Sequence, residues 1–164
     1  MSTEERARAR EILDLQEGRS GVALLDDRAV SELLRTARRI AVVGASSDPF
    51  RPSYGVFEYL LRHGYACVPV NPNAREVQGV PAFADLAGAV AAGGPFDIVD
   101  VFRRPDSCAE LAAQAVALGA RALWLQLGVV SVEAARTAAA GGLDVVMDRC
   151  ISVEHRRMLG SRAG

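Results

Sequence analysis

Lysine is absent from this chain of 164 residues; all 19 basic side chains are arginine. That excludes Schiff-base chemistry on a lysine and the lysine of a P-loop. Any grip on phosphate must come from guanidinium groups, hydroxyls and backbone amides. Cysteine and histidine are scarce: Cys67, Cys108 and Cys150 lie far apart, and His63 and His155 complete the set. These residues make no CxxC pair and no metal-ligand spacing, so reduced thiols are expected and a zinc site is not. No run of about 18 apolar residues is present to span a bilayer. The leading MSTEERARARE is charged where a signal peptide would be apolar. The expectation is a soluble, cytoplasmic protein without membrane contact. A net charge of −1 and a pI of about 6.1 argue against a nucleic-acid partner, which calls for a basic face.

What is present is a folded-domain composition, 50% hydrophobic and 24% charged, at a length suited to one core. Residues 1–38 read as a helical arm, with one amphipathic segment over 4–15, a GRSG turn at 18–21, and a second helix over 27–38. From residue 39 to 160 strand and helix signals alternate. The strands are IAVVG (40–44), ACVPV (66–70), FDIVDVF (96–102), ALWLQ (122–126) and LDVVM (143–147). Helices are expected over 53–63, 85–92, 105–118, from Ser131 to Gly141, and from Ser152 toward Leu159. QGVPAF (78–83) reads as a loop or edge piece. Continuous apolar strands mean burial on both faces, and their alternation with helices gives an α/β fold. The expected architecture is a doubly wound, Rossmann-like parallel sheet of about five strands with right-handed crossovers.

The stretch RIAVVGASSDPFRPSYG (39–55) runs a buried strand into a Gly/Ser/Pro/Arg loop and then into a helix. Such a junction holds anions, because the first helical N–H groups have no partner within the helix. Ser46, Ser47 and Ser53 add hydroxyls and Arg51 adds a fixed charge. Ligands of parallel sheets bind beyond the carboxyl ends of the strands. That rule draws in Asn71–Asn73, Phe102–Pro105, Gln126–Val129 and Asp148–Cys150 as well. The GxGxxG fingerprint is missing, since Ser46 and Pro49 stand where two of its glycines belong. Asn71 also stands where a nicotinamide cofactor wants an acid for its ribose. An NAD(P)- or nucleotide-dependent enzyme acting on a small substrate is the alternative reading, and both departures weigh against it.

Arg103 and Arg104 read either as surface charges near Asp106 or as a second phosphate grip, and Arg51 on the same sheet edge favours the grip. Gln126 either meets an amide or base of a ligand or closes a turn. Cys150 reads as an inert core residue or as a thiol partner beside the ligand. Trp124 reads as core, His63 as a helix-terminal cation and His155 as part of a solvated helix face. Asp97 and Asp100 read as ending or edging a strand rather than as a catalytic pair. No Ser/His/Asp or Cys/His arrangement has motif support, so a binding cleft is expected and a reactive centre is not.

Five segments, GASSDPFRPSYGV, PVNPNAREVQGVPAF, FDIVDVFRRPD, ALWLQLGVVS and VVMDRCISVEH, together resemble the small stand-alone CoA-binding proteins. These are Rossmann domains similar to the CoA-binding domain of the succinyl-CoA synthetase α-subunit. The resemblance covers about residues 38–158 and leaves out the helical arm. It implies coenzyme A or an acyl-CoA lying across the strand ends. Gly44, Ala45, Ser46 and Arg51-Pro52-Ser53 would take the pyrophosphate, and Asn71-Pro72 would lie along the nucleotide. Phe102, Arg103 and Arg104 would meet the adenosine or 3′-phosphate, and Gln126-Leu127-Gly128-Val129 would line the pantetheine path. The chain is too short to hold the ligase domain that carries the synthetase's phosphohistidine, so the expected role is a non-catalytic carrier, sensor or partner module. Small domains of this type pair through an exposed helix or sheet edge, and a homodimer is compatible with the sequence without being required by it.

Overall fold

The computed structural model describes residues 1–160. Its centre is a parallel sheet of β1 (Arg39–Val43), β2 (Ala66–Val70), β5 (Ile98–Val101), β6 (Ala122–Leu125) and β7 (Asp144–Met147), in the order β2-β1-β5-β6-β7. Chain direction across the sheet therefore reverses between β1 and β5, and the loops that follow these two strands part there.

Each strand is buried on both faces, which is why the sequence shows apolar runs instead of alternation. One face, carrying Val43, Val99, Leu123 and Val145, packs against α4 (Leu86–Gly93), α5 (Pro105–Ala117) and α6 (Val132–Ala140). The opposite face, carrying Ile40, Val42, Ile98 and Trp124, packs against α2 (Asp27–Thr36), α3 (Pro52–Arg62) and α7 (Ile151–Met158). The buried residues of α5 and α6 are largely small (Ala112, Ala115, Ala134, Ala135, Ala138), and the two helices pack closely on each other.

The N-terminal residues run along both faces. Helix α1 (Thr3–Gln16) starts on a capping box between Ser2 and Glu5, ties to α6 through Arg136–Glu11 at 2.6 Å, and adds Leu15 to the α4–α6 core. The chain then passes the free edge of β7, where Leu25 N–H donates to the Val145 carbonyl at 3.0 Å. Helix α2 follows, capped by Asp26 and seated on the other face by Val30, Leu33 and Leu34. A strand edge left open is a template for mispairing, and this segment occupies part of it.

Residues 78–83 take the edge-piece reading rather than the loop: Glu76–Val77 (β3) and Val80–Pro81 (β4) form a two-stranded antiparallel hairpin, and Phe83 bridges back to Val70 on the edge strand. Two expectations need correction. Asp100 does not edge a strand but sits inside β5, in register with Val42 and Trp124, and is fully buried. His155 does not lie on a solvated face; it is 7% exposed, turned between α7 and α3, with its Nδ1 2.7 Å from the Tyr59 hydroxyl. Its polar chain neighbours Glu154, Arg156 and Arg157 hide that inward turn in the sequence. Burial, and secondarily the nearby His63, push its pKa below the ordinary value.

Candidate functional site

The reversal point opens into a cleft of about 920 Å³, which is in the range of small-molecule sites. Its floor is the close approach of two strand ends. Gly44 takes φ +88°, and a Cβ built on it would lie 3.1 Å from the Phe102 carbonyl carbon and well inside contact with the carbonyl oxygen. Only glycine serves there, for backbone angle and for space alike. The two loops are pinned by Gly44 N–H to Val70 O and Phe102 N–H to Val43 O, each 2.8 Å.

The loop after β1 is held by its own serines. Ser53 Oγ accepts from the Ser46 N–H at 3.1 Å, and Ser46 Oγ accepts from the Asp48 N–H at 3.0 Å. Ser47 donates its hydroxyl to the Glu76 carbonyl at 2.8 Å, tying the loop to the β3–β4 hairpin. Across from it, Asn71 donates Nδ2 to the Ala45 carbonyl at 2.7 Å and accepts from the Asn73 N–H at 2.8 Å. Further along the sheet, Gly128 donates its N–H to Asp148 at 2.8 Å, joining the loops that follow β6 and β7.

Three helices begin at this cleft, and they differ from the rest. The N-cap residues of α3, α5 and α7 are Arg51, Arg104 and Cys150; all three line the cleft, and none makes a side-chain cap bond. The other four helices are capped in the ordinary way by Ser2, Asp26, Asp85 and Ser131. Pro52 and Pro105 open α3 and α5, which fixes the first turn and removes one donor each. The remaining first-turn N–H groups at the cleft lack a side-chain acceptor. Arg51, Arg103 and Arg104 line the same cleft and, among the described residues, no carboxylate does, although the chain as a whole carries a net charge of −1. Arg51 comes only within 4.0 Å of Asp48, with both side chains well exposed.

Of the residues singled out from sequence, Gly44, Ser46, Arg51, Pro52, Ser53 and Asn71 line one side of the cleft. Phe102, Arg103, Arg104, Gln126, Leu127, Gly128, Val129 and Cys150 line the other. Ala45 is fully buried and does not line the cleft. Pro72 lines an adjoining hollow between β2 and α5, together with Arg103 and Asp85. Pro105 and Asn73, drawn in by the strand-end rule, also line the cleft. Sequence reasoning gave no role to Val56, which contributes to the wall, nor to Phe50, which stands 94% exposed beside Arg51.

The thiols fall into two kinds. Burial pushes Cys67 up to about 12 and Cys108 up to about 11, with the carboxylates Asp100 and Asp106 adding to the respective effects. Cys150 is half-buried, lines the cleft, and lies 3.3 Å from the Ser152 hydroxyl. Beneath the cleft, Gln126 donates Nε2 to Asp100 Oδ1 at 2.5 Å. His63 and His155 are elsewhere, gathered around Tyr59, with their rings 4.9 Å apart.

Comparison with known proteins agrees with this fold. A protein of Bacillus subtilis (strain 168), the uncharacterized protein YneT, is 39% identical over 126 residues, covering 77% of this chain and 91% of that protein. A hypothetical protein from Pyrococcus horikoshii OT3 superposes with a TM-score of 0.78 at 37% identity, covering 83% of this chain and 94% of the other. A protein from Thermus thermophilus does so with a TM-score of 0.76 at 37% identity, covering 82% of this chain and 100% of its own. The model of the CoA binding domain matches residues 38–156, from the start of β1 into α7 and through every loop of the cleft. The chain therefore belongs to the CoA-binding domain family.

Proposed function

We propose that the cleft at the β1/β5 reversal binds coenzyme A or an acyl-CoA, and that the protein acts as a carrier, sensor or partner module without transforming its ligand. The observation that carries the reading is the convergence of three helix N-termini lacking side-chain caps with three arginines, in a cleft lined by no carboxylate among the described residues. CoA brings a pyrophosphate and a 3′-phosphate, and such groups take charge-assisted bonds from guanidinium and free amides.

In this reading Gly44, Ser46 and Arg51-Pro52-Ser53 take the pyrophosphate, with Ala45 buried in the same loop beneath them. Asn71-Pro72 lies along the nucleotide. Phe102, Arg103 and Arg104 serve the adenosine and 3′-phosphate. Gln126 to Val129 form the wall along which the pantetheine arm runs, and Cys150 stands at the same wall. The non-catalytic role is supported by what lines the wall: it has one thiol, amides, hydroxyls and arginines, while His63 and His155 do not reach it.

Displacement of a fluorescent adenine nucleotide tests this directly. CoA is expected to compete at lower concentration than NAD by about tenfold or more. NAD competing better than CoA would favour the rival reading, a nucleotide-dependent enzyme.

A further inference from the structure

Asp100 is the one acidic side chain buried inside the sheet, and one of its oxygens has no use in the fold. Oδ1 accepts from Gln126 Nε2 at 2.5 Å; Oδ2 is buried with no hydrogen-bond partner among the described residues. A buried carboxyl left half-satisfied costs stability, and apolar residues of similar size commonly replace such groups without loss. Its register neighbours, Val42 and Trp124, are apolar. Structure alone gives it no reason to be there.

Its partner supplies one. Gln126 closes β6, is 3% exposed, and still lines the cleft. A carboxamide has one donor end and one acceptor end. With the donor end committed to Asp100, the acceptor Oε1 is left, and it takes no hydrogen bond from any described residue. An Asp carbonyl oxygen accepts from Nε2 whether the acid is charged or neutral, so the hold survives either state.

We infer that Asp100 is a positioning residue: by engaging Gln126 Nε2 from below, it fixes Oε1 as an acceptor for an amide N–H of the ligand arm. This rests on the reading of the cleft as a CoA site, since the pantetheine arm carries two secondary amides and the nucleotide half carries none. The assignment differs from a packing role because it predicts a selective loss. A structural defect weakens both halves of the ligand, whereas a turned or unheld Gln126 weakens only the half with amides.

The test measures CoA and 3′-phospho-ADP, the nucleotide half, by calorimetry on the native chain, Asp100→Val, Asp100→Asn and Gln126→Met, with thermal melting as the check on folding. Asp100→Val is expected to weaken CoA by about tenfold and to leave 3′-phospho-ADP within about twofold. Asp100→Asn keeps an acceptor at Oδ1 and is expected to bind CoA as the native chain does. Gln126→Met is expected to match Asp100→Val, and the double variant to lose no more than either single one. Equal losses for the two ligands, no loss of CoA in Asp100→Val, or an Asn variant as weak as the Val variant would each overturn the inference. Should Asp100→Val fail to fold, Asp100→Leu, an apolar replacement closer in shape that also removes the Oδ1 acceptor, carries the same decision. A native chain that binds neither ligand removes the CoA reading itself, and is distinguishable from all of these.

Discussion

The Phe102 carbonyl occupies the space in which a side chain on Gly44 would begin. Two parallel strands on either side of the reversal point meet backbone to backbone there, and the cleft floor is made of that contact. Gly44→Ala is therefore expected to strain residue 44 at φ +88° and to push the two loops apart. The cost should be about 2–4 kcal/mol of stability, read as a lower melting temperature, together with loss of CoA affinity. An alanine variant with native melting and native affinity would show that the close approach has no consequence.

The three arginines should behave differently from Gly44, since they are surface groups around the cleft with no tight internal partner. Arg51→Ala, Arg103→Ala and Arg104→Ala are each expected to weaken CoA by about tenfold with melting nearly unchanged. CoA affinity should also fall as salt rises. If Arg103 and Arg104 meet the 3′-phosphate, their removal weakens CoA more than dephospho-CoA. Equal losses for the two ligands in a calorimetric comparison would take that assignment away.

Burial raises the Asp100 pKa from 3.8 to about 8, with the Gln126 hydrogen bond working against the rise. The native state thus holds a proton that the unfolded chain releases between about pH 4 and pH 8. Stability contributed at this residue falls as pH rises through that window, by up to about 1.4 kcal/mol per pH unit. His155 acts in the opposite sense, because its lowered pKa makes the native state shed a proton below the ordinary value of 6.5. Comparing the native chain with Asp100→Asn cancels His155. The melting difference between them should grow in favour of the Asn variant from pH 5 to pH 9. A difference that stays flat would mean that Asp100 does not titrate as its burial implies.

Only Cys150 among the three thiols is placed for exchange with a coenzyme disulfide, since Cys67 and Cys108 are buried and hard to ionise. Attack of its thiolate on CoA disulfide would form a protein–S–S–CoA bond and release one CoA thiolate, which takes up a proton. Intact-mass measurement should show one added CoA per chain, and none in Cys150→Ser. A Ser variant that still gains the mass would move the reaction to another thiol.

The sheet was legible because its strands are buried on both faces; IAVV, IVDV and ALWL stand out as near-continuous apolar runs, and the polar residues follow them where a parallel sheet puts its ligands. The β3–β4 hairpin was not, because two strands of two residues each carry no periodicity and depend on Phe83 bridging to Val70. Asp100 was misread because an acid inside FDIVDVF looks like a strand end, and only its register neighbours Val42 and Trp124 reveal the depth. His155 was hidden among charged neighbours for a similar reason: one inward position on α7 is invisible until Tyr59 on α3 is seen against it. One signal was readable and unused. Arg51, Arg104 and Cys150 stand at helix starts where Ser, Thr, Asp or Asn is the rule, and those exceptions mark the cleft.

Titration of CoA into the purified protein by calorimetry is the most direct test of the whole account. One CoA per chain, bound in the micromolar range or tighter and accompanied by a rise in melting temperature, is the predicted result. No heat and no thermal shift at millimolar CoA would contradict it.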